Sequence, residues 1–360
     1  MKHYSEYDVI VVGAGPCGSM AAKIAAQRGA RTILLEEHPQ IGLPEHCVGM
    51  LAGSGGGFLA ELLETMDPRV VVREAVARRV YSPSGRCFET PLKGICMIER
   101  NLFDLELALQ AAEAGAQIAV NTTVTGLIKE EGIIRGVKTN SSTIPSVAGK
   151  VVVAADGIRA LFKGIAAWEG LSQPDQKVIS GLKWHLANVK GTEPGIIEFH
   201  LGSFCERGWL TLIDRGHGSY LTDIPSLRDY EQIKNGTYLI SQKLRHSQVL
   251  RITGFSHPVP MGRTLDTRVK DGLILAGDGA GFLSIDFAVA TGKAAGEVAA
   301  EAAIAGDCSA ENLARYDRLS REIEARKEWF TSQFHALERF FGLPDEEIER
   351  RLTEEKLDAD

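Results

Sequence analysis

The sequence predicts an α/β protein: a parallel sheet with covering helices, joined to a second, antiparallel β-sheet domain and followed by C-terminal helices. Two observations carry this reading. The chain opens with strand, glycine turn, helix and strand, and two later apolar strands, Lys150 to Ala155 and Leu273 to Ala276, also end in glycine and aspartate turns. Between those later strands, from Val178 to about Thr253, apolar and polar residues alternate and polar turns separate the runs. Continuous apolar runs mark strands buried on both faces, and alternation marks a sheet with one wet face.

Tyr7 to Val12 reads as a buried strand, Gly13-Ala14-Gly15-Pro16-Cys17-Gly18 as a tight turn, Ser19 to Arg28 as a helix, and Thr32 to Leu35 as a second strand ending at Glu36. Gly13 makes the turn, Gly15 lets backbone approach a pyrophosphate, and Gly18 lets the helix pack closely on the strand. The helix start then offers free N–H groups and a partial positive charge to phosphate. Glu36 lies 23 residues beyond Gly13, placed to accept hydrogen bonds from a ribose diol and to repel a 2′-phosphate. G-x-G-x-x-G alone often marks only a turn. With strand, helix and acid in register it predicts dinucleotide binding.

A loop follows from Pro39 to Gly49, then the glycine run Gly53 to Gly57. Loops beside nucleotide sites often carry function. Phe58 to Met66 reads as a helix, Arg78 to Thr90 as a hairpin turning at Ser82-Pro83-Ser84-Gly85, and Ile95 to Ile98 as a strand. Arg100 to Ala114 is an amphipathic helix with Phe103, Leu107, Ala111 and Ala114 on one face. Gln117 to Val120, Val124 to Lys129 and Ile134 to Lys138 are short strands. Lys150 to Ala155 ends in Asp156-Gly157; Ile196 to His200 and Trp209 to Ile213 belong to the second sheet. Leu273 to Ala276 leads into Gly277-Asp278-Gly279-Ala280-Gly281 and an alanine-rich helix. Trp329, Phe330, Phe334, Leu337 and Phe341 share a face of the charged helical tail, as surface helices ordinarily do when they pack. The expected domains are 1–76, 95–177 and 262–308 for the nucleotide, 77–94 and 178–261 for substrate, and 309–360 as a helical segment.

At 360 residues the chain exceeds the size of one core, so two subdomains are expected. A formal charge of −7 and a pI near 5.8 exclude the basic footprint of nucleic-acid binding. Lys293, Glu297 and Glu301 interrupt the most apolar helix, about Ala288 to Ala305, so no transmembrane segment is expected. The N-terminus runs straight into the first strand, which predicts no secretory signal. Six scattered cysteines without C-x-x-C spacing fit reduced thiols and a cytoplasmic location. His185, His200, His217, His246 and His257 lack ligand spacing, so no metal is expected.

Three pieces stand in one order: the glycine turn with Glu36, Val153-Ala154-Ala155-Asp156-Gly157, and Leu275-Ala276-Gly277-Asp278-Gly279-Ala280-Gly281. This resembles the glutathione-reductase-type FAD proteins, and more closely their p-hydroxybenzoate-hydroxylase-like branch. Within it, Gly42-Leu43-Pro44 with Cys47 and Gly49, then Arg100 with Asp104, are similar to the geranylgeranyl reductase family. The resemblance runs from about Tyr7 to Gly296. It implies FAD as cofactor, NAD(P)H or ferredoxin as electron donor, and hydride transfer to a double bond of an isoprenoid lipid. It implies that Gly13, Gly15 and Gly18 hold the pyrophosphate, Glu36 the adenosine ribose, and Arg100 the flavin side of the diphosphate or the ribityl chain, with Pro16, Cys17, Glu37 and Cys47 also in the cofactor set. Asp278, with Gly277 and Gly281, is implied at the ribityl hydroxyls; Asp156-Gly157, Val48 and Val124 complete the cofactor set. Cys47 resembles a cysteine that lies over the flavin ring and relays a proton to the alkene, and His46 beside it is a second candidate donor. A lipid substrate leaves peripheral membrane contact open; oligomeric state is not assigned.

Two stretches depart from that family's pattern. Gly281-Phe282-Leu283-Ser284 runs directly into Ile285-Asp286-Phe287, without a proline and glycine-rich turn to face the flavin N1–C2=O edge, and Asp286 would set a carboxylate near that edge. In the second sheet only Trp209 remains of an aromatic substrate wall. Two alternatives therefore stand beside the reductase: an FAD-dependent aromatic hydroxylase, and a nucleotide-binding homologue without catalysis.

Overall fold

The computed structural model describes residues 6–53, 57–158, 164–171, 177–204, 208–259, 265–325, 339–340 and 342–354. Trp329, Phe330, Phe334, Leu337 and Phe341 lie outside these residues. The chain divides into two compact units, Met1–Leu43 with Asn101–Val178 and His257–Trp329, and Pro44–Arg100 with Ile179–Ser256 and Phe330–Asp360.

The first unit is built on an eight-stranded sheet. Its parallel part runs Gln117–Ala119, Thr32–Leu35, Glu6–Val12, Ser146–Ala154, Leu273–Leu275. The expected short strands Val124–Glu130 and Ile133–Thr139 form an antiparallel hairpin, whose second strand pairs antiparallel with Ser146–Ala154, and Val269–Lys270 closes the other edge. Val9, Val11, Val151 and Val153 point to one side, where helices Pro16–Gln27 and Ile285–Ala305 cover them; Ile10, Val152 and Leu273 point to the other. The two helices cross closely because small residues stand at the crossing. A Cβ on Gly292 would lie 2.2 Å from the Cys17 carbonyl oxygen, and one on Gly296 2.4 Å from that of Ala21. Helix Arg100–Glu113 buries Phe103, Leu107 and Ala111, the face its spacing predicted.

The second unit holds a seven-stranded sheet in the order Gln248–Val259, Lys177–Ala187, Ser219–Ile224, Trp209–Asp214, Ile196–Leu201, Ala77–Tyr81, Cys87–Pro91. The pairings on either side of strand Ile196–Leu201 differ. It is antiparallel to Trp209–Asp214, as expected, but parallel to Ala77–Tyr81. A three-stranded sheet, Met50–Ala52, Ile95–Ile98 and Val71–Glu74, completes the unit.

The unit boundaries differ from the expected ones. Residues 44–76 and 95–100, expected with the nucleotide domain, include three short strands that pair with one another, and the segment groups with the second sheet. The C-terminal segment divides: helix Ala310–Glu324 belongs with the first unit and helix Asp345–Glu354 with the second. Two short helices, Leu227–Lys234 and Leu239–Leu244, stand in the stretch read as strands. The first carried a signal, since Ser226 caps the Asp229 N–H and Asp229 sits three residues on.

Candidate active site

In the first unit, strands Glu6–Val12, Thr32–Leu35, Ser146–Ala154 and Leu273–Leu275 are parallel, so their C-terminal ends bring four turns to one edge of the sheet. Ligands of open α/β sheets bind at that edge. There the structure gathers Gly13, Gly15, Pro16, Cys17 and Gly18, then Glu36 and Glu37, Asp156 and Gly157, and Gly277, Asp278 and Gly281. Val124 opens the antiparallel hairpin of the same unit.

The glycine turn is shaped as its spacing predicts. Gly13 has φ +94°, and a Cβ there would stand 2.5 Å from the Ala155 oxygen. On Gly18 a Cβ would stand 1.8 Å from the Gly13 oxygen. On Gly15 it would meet nothing within 4 Å, so bare backbone there faces open space at the helix start. Glu36 takes the Ala14 N–H on Oε2 at 2.7 Å, and the His38 N–H and ring Nδ1 on Oε1 at 2.9 and 2.7 Å. A carboxylate has about four lone-pair sites, so one remains for a ribose hydroxyl. His38 is a residue sequence reasoning missed. Its N–H and carbonyl both anchor the turn, since Asn121 N–H bonds the His38 oxygen at 2.9 Å.

Asp156 offers an acceptor of a different kind. Its Oδ2 accepts the Ile165 N–H at 3.0 Å, whereas Oδ1 is buried with no partner among the described residues. Burial pushes the Asp156 carboxyl up to about 6, and the Glu37 carboxylate adds to this against the lowering effect of the backbone N–H of Ile165. An orphaned buried oxygen beside an open glycine cradle fits a polar cofactor at this edge. These residues therefore fit the adenosine and pyrophosphate end of FAD. Cys17 contributes backbone and packing, because burial drives its thiol up to about 12.

At the far end of the edge, Gly277–Ala280 forms a 3₁₀ turn closed by Gly281 at φ +87°. Two residues unnoticed in the sequence brace it. Thr291 accepts the Gly277 N–H at 3.3 Å and donates to the Phe287 carbonyl at 2.6 Å. Arg268, fully buried, donates to the Ala280 carbonyl and to Glu324 and lies 4.7 Å over the Phe282 ring. The helix Ile285–Ala305 then starts at Ser284, whose Oγ caps the Phe287 N–H at 3.4 Å. Ser284 has φ +120° and ψ +158°, a region nearly reserved for glycine and costing about 1–3 kcal/mol otherwise. Asp286 sits in the first helical turn, where the helix dipole favours a carboxylate. Ser284→Gly is expected to stabilise the protein by about 1 kcal/mol, the relieved strain exceeding the few tenths lost with the cap; a thermal midpoint that falls in the variant would contradict this.

The remaining predicted residues lie in the second unit. Cys47 is half-buried, and its Sγ accepts the Gly49 N–H at 3.4 Å. The His46 ring bonds the Gly254 carbonyl through Nδ1. Val48 passes its carbonyl to Arg215 at 3.5 Å. Arg100 begins the helix Arg100–Glu113. Trp209, expected in a substrate wall, is 8% exposed and clusters with Phe199, Leu201 and Ile213. Behind the Cys47 loop stands a buried ionic cluster that no local motif announces. Glu45 accepts from Lys183 at 2.9 Å, from the Tyr220 hydroxyl at 3.2 Å and from Arg251. Lys183 and Arg215 flank the Tyr220 ring at 4.3 and 4.5 Å from its centroid, and Arg215 pairs with Glu99 at 2.6 Å.

Residues 8–182 match the family of FAD-dependent oxidoreductases. The digeranylgeranylglycerophospholipid reductase of Methanocella arvoryzae is 34% identical over 88% of this chain and 83% of that protein. The chain belongs to the geranylgeranyl reductase family of FAD-dependent oxidoreductases. The reductase of the same name from Thermoplasma volcanium is 30% identical over 96% of this chain and 90% of its own length. A crystal structure of a geranylgeranyl bacteriochlorophyll reductase-like protein from Thermoplasma acidophilum superposes with a TM-score of 0.81 at 28% identity, covering 97% of this chain and 91% of that one. A halogenase solved with FAD shares the fold alone, with TM-score 0.71 at 14% identity over 99% of this chain and 84% of that one. This family member is thus an FAD-dependent oxidoreductase. Among the described residues no helix is long and apolar enough to cross a membrane, and no cluster of His, Cys, Asp and Glu could hold a metal ion.

Proposed function

We propose that this geranylgeranyl reductase family member saturates carbon–carbon double bonds in the prenyl chains of a lipid such as a digeranylgeranyl glycerophospholipid. The observation that carries the reading is identity of 30–34% with reductases of that name over most of both chains. FAD, once reduced by electrons from NAD(P)H or ferredoxin, would supply the hydride for one alkene carbon. The chain's own residues do the rest. Gly13, Gly15 and Gly18 hold the pyrophosphate against the helix start, Glu36 the ribose, and Asp156 and Asp278 the polar groups between pyrophosphate and ring. The Cys47 thiol gives its proton to the other alkene carbon as the S–H bond breaks, and the thiolate is reprotonated from solvent. The substrate is a lipid, so the chain meets it by peripheral contact with a membrane.

The test is anaerobic. Protein reduced by dithionite is mixed with vesicles carrying the geranylgeranyl lipid, and flavin absorbance and product mass are followed. Return of the flavin bands with two hydrogens gained per saturated bond is expected. Flavin that reoxidises only when oxygen is admitted would favour the hydroxylase chemistry instead. Cys47→Ser should retain flavin and lose roughly 100-fold or more in turnover, the usual contribution of a positioned acid; wild-type turnover in that variant would remove the thiol from the mechanism.

A further inference from the structure

We propose that Lys183 is a positioning residue for the reduction, holding the Cys47 thiol in place through the Cys47 carbonyl; this rests on the role given to that thiol above. Lys183 is 1% exposed and sits on the strand Lys177–Ala187. Its ammonium donates to Glu45 Oε1 at 2.9 Å and to the Cys47 carbonyl oxygen at 2.8 Å. One charged group thus pins the loop on both sides of His46. Glu45 is itself oriented by Tyr220 and Arg251, so the anchor does not swing. One residue beyond Cys47, the Arg215 guanidinium donates to the Val48 carbonyl, and the Ile98 N–H donates to the Gly49 carbonyl at 2.7 Å.

The clamp is matched to positioning more than to stability. A buried ion pair is a weaker stabiliser than apolar side chains of the same volume, and an apolar residue at position 183 could fill the space without fixing the carbonyl. Charge-assisted hydrogen bonds are short and directional, which restrains a loop carbonyl. Misplacing a reacting group by about 1 Å can cost on the order of 100-fold in rate.

The experiment uses the flavin-loaded full chain and the geranylgeranyl lipid vesicles. Lys183→Met should lower kcat roughly 10- to 100-fold with KM little changed, since the thiol acts in the transition state. In the Cys47→Ser background the same change should cost nothing further, because Lys183 acts through Cys47. Without turnover, alkylation of Cys47 by iodoacetamide, read by peptide mass spectrometry against exposed Cys87 as internal reference, should accelerate in Lys183→Met as the loop is released. Lys183→Gln, which keeps a donor and a polar head, serves if Lys183→Met does not fold, and should show the same changes in smaller measure. A multiplicative loss in the double variant, or Cys47 alkylation unchanged relative to Cys87, overturns the proposal. Wild-type turnover in Cys47→Ser alone would overturn the thiol's role while the alkylation ratio still decides whether Lys183 holds the loop.

Discussion

Gly15→Ala should yield a folded, colourless protein. The residue has ordinary extended dihedrals, φ −72° and ψ −176°, and a Cβ there meets nothing within 4 Å. The free protein therefore loses only the slight preference of an N-cap for glycine over alanine, about 1 kcal/mol or less. The added methyl stands where a pyrophosphate would approach the helix start, and cofactor affinity should fall by roughly 100-fold or more, about 3 kcal/mol. Gly18→Ala makes the contrast. Its Cβ would stand 1.8 Å from the Gly13 carbonyl oxygen, so helix and strand must part and stability falls along with the flavin. Absorbance at the flavin bands and the thermal midpoint, measured together, separate the two. A yellow Gly15→Ala protein with wild-type flavin content would show that the cofactor does not lie on this turn.

The first unit was legible because its chemistry is local. A strand, three glycines and an acid within 36 residues specify one backbone path, and the apolar runs at Val151 to Ala154 and Leu273 to Leu275 could only be central strands. Of the residues that the family resemblance assigns to the cofactor, the structure gathers Gly13, Gly15, Pro16, Cys17, Gly18, Glu36, Glu37, Asp156, Gly157, Gly277, Asp278 and Gly281 at the strand ends. What sequence did not show is assembled from distant positions. Glu45, Lys183, Arg215, Tyr220 and Arg251 meet only after the second sheet forms, and no spacing among them hints at it. Arg268 belongs to no motif, yet it is fully buried with its guanidinium over the Phe282 ring. The family resemblance sets Trp209 in an aromatic wall, while the alternation that puts it in a strand is satisfied equally by the ring's place beside Phe199, Leu201 and Ile213. The backbone of Ser284 was invisible for another reason, since serine is a common cap and nothing in its neighbours announces a positive φ.

Removing the Glu45 carboxylate should be the most destabilising single change in the second unit. Glu45→Gln leaves the Lys183 ammonium buried without its counter-charge and deprives Arg251 of its partner, and breaking one side of a buried pair costs about 3–5 kcal/mol. Glu193→Gln provides the scale, since the Glu193 carboxylate meets Arg79 at a surface where it is 63% exposed, and an exposed pair is worth about 0–1 kcal/mol. The acid limb of stability should follow the same groups. Burial raises the Glu45 carboxyl, but Lys183 and Arg251 more than reverse this and hold it below its ordinary 4.5. The folded chain thus refuses a proton that the unfolded chain accepts, so the stabilisation is complete above about pH 4.5 and is lost as pH falls through the folded value. His200 acts earlier. Burial and Lys243 hold its ring below the ordinary 6.5 despite the bond to Glu198, so below that pH the unfolded chain again binds the extra proton and stability declines. Urea unfolding of wild type should therefore weaken in two phases on acidification, a shallow one starting near 6.5, where folded-state protonation of Asp156, pushed up to about 6, offsets part of the loss at His200, and a steeper one below 4.5. Glu45→Gln should remove much of the second and leave the first; an unaltered slope below pH 4.5 in that variant would mean that the cluster does not hold its charge in the folded state.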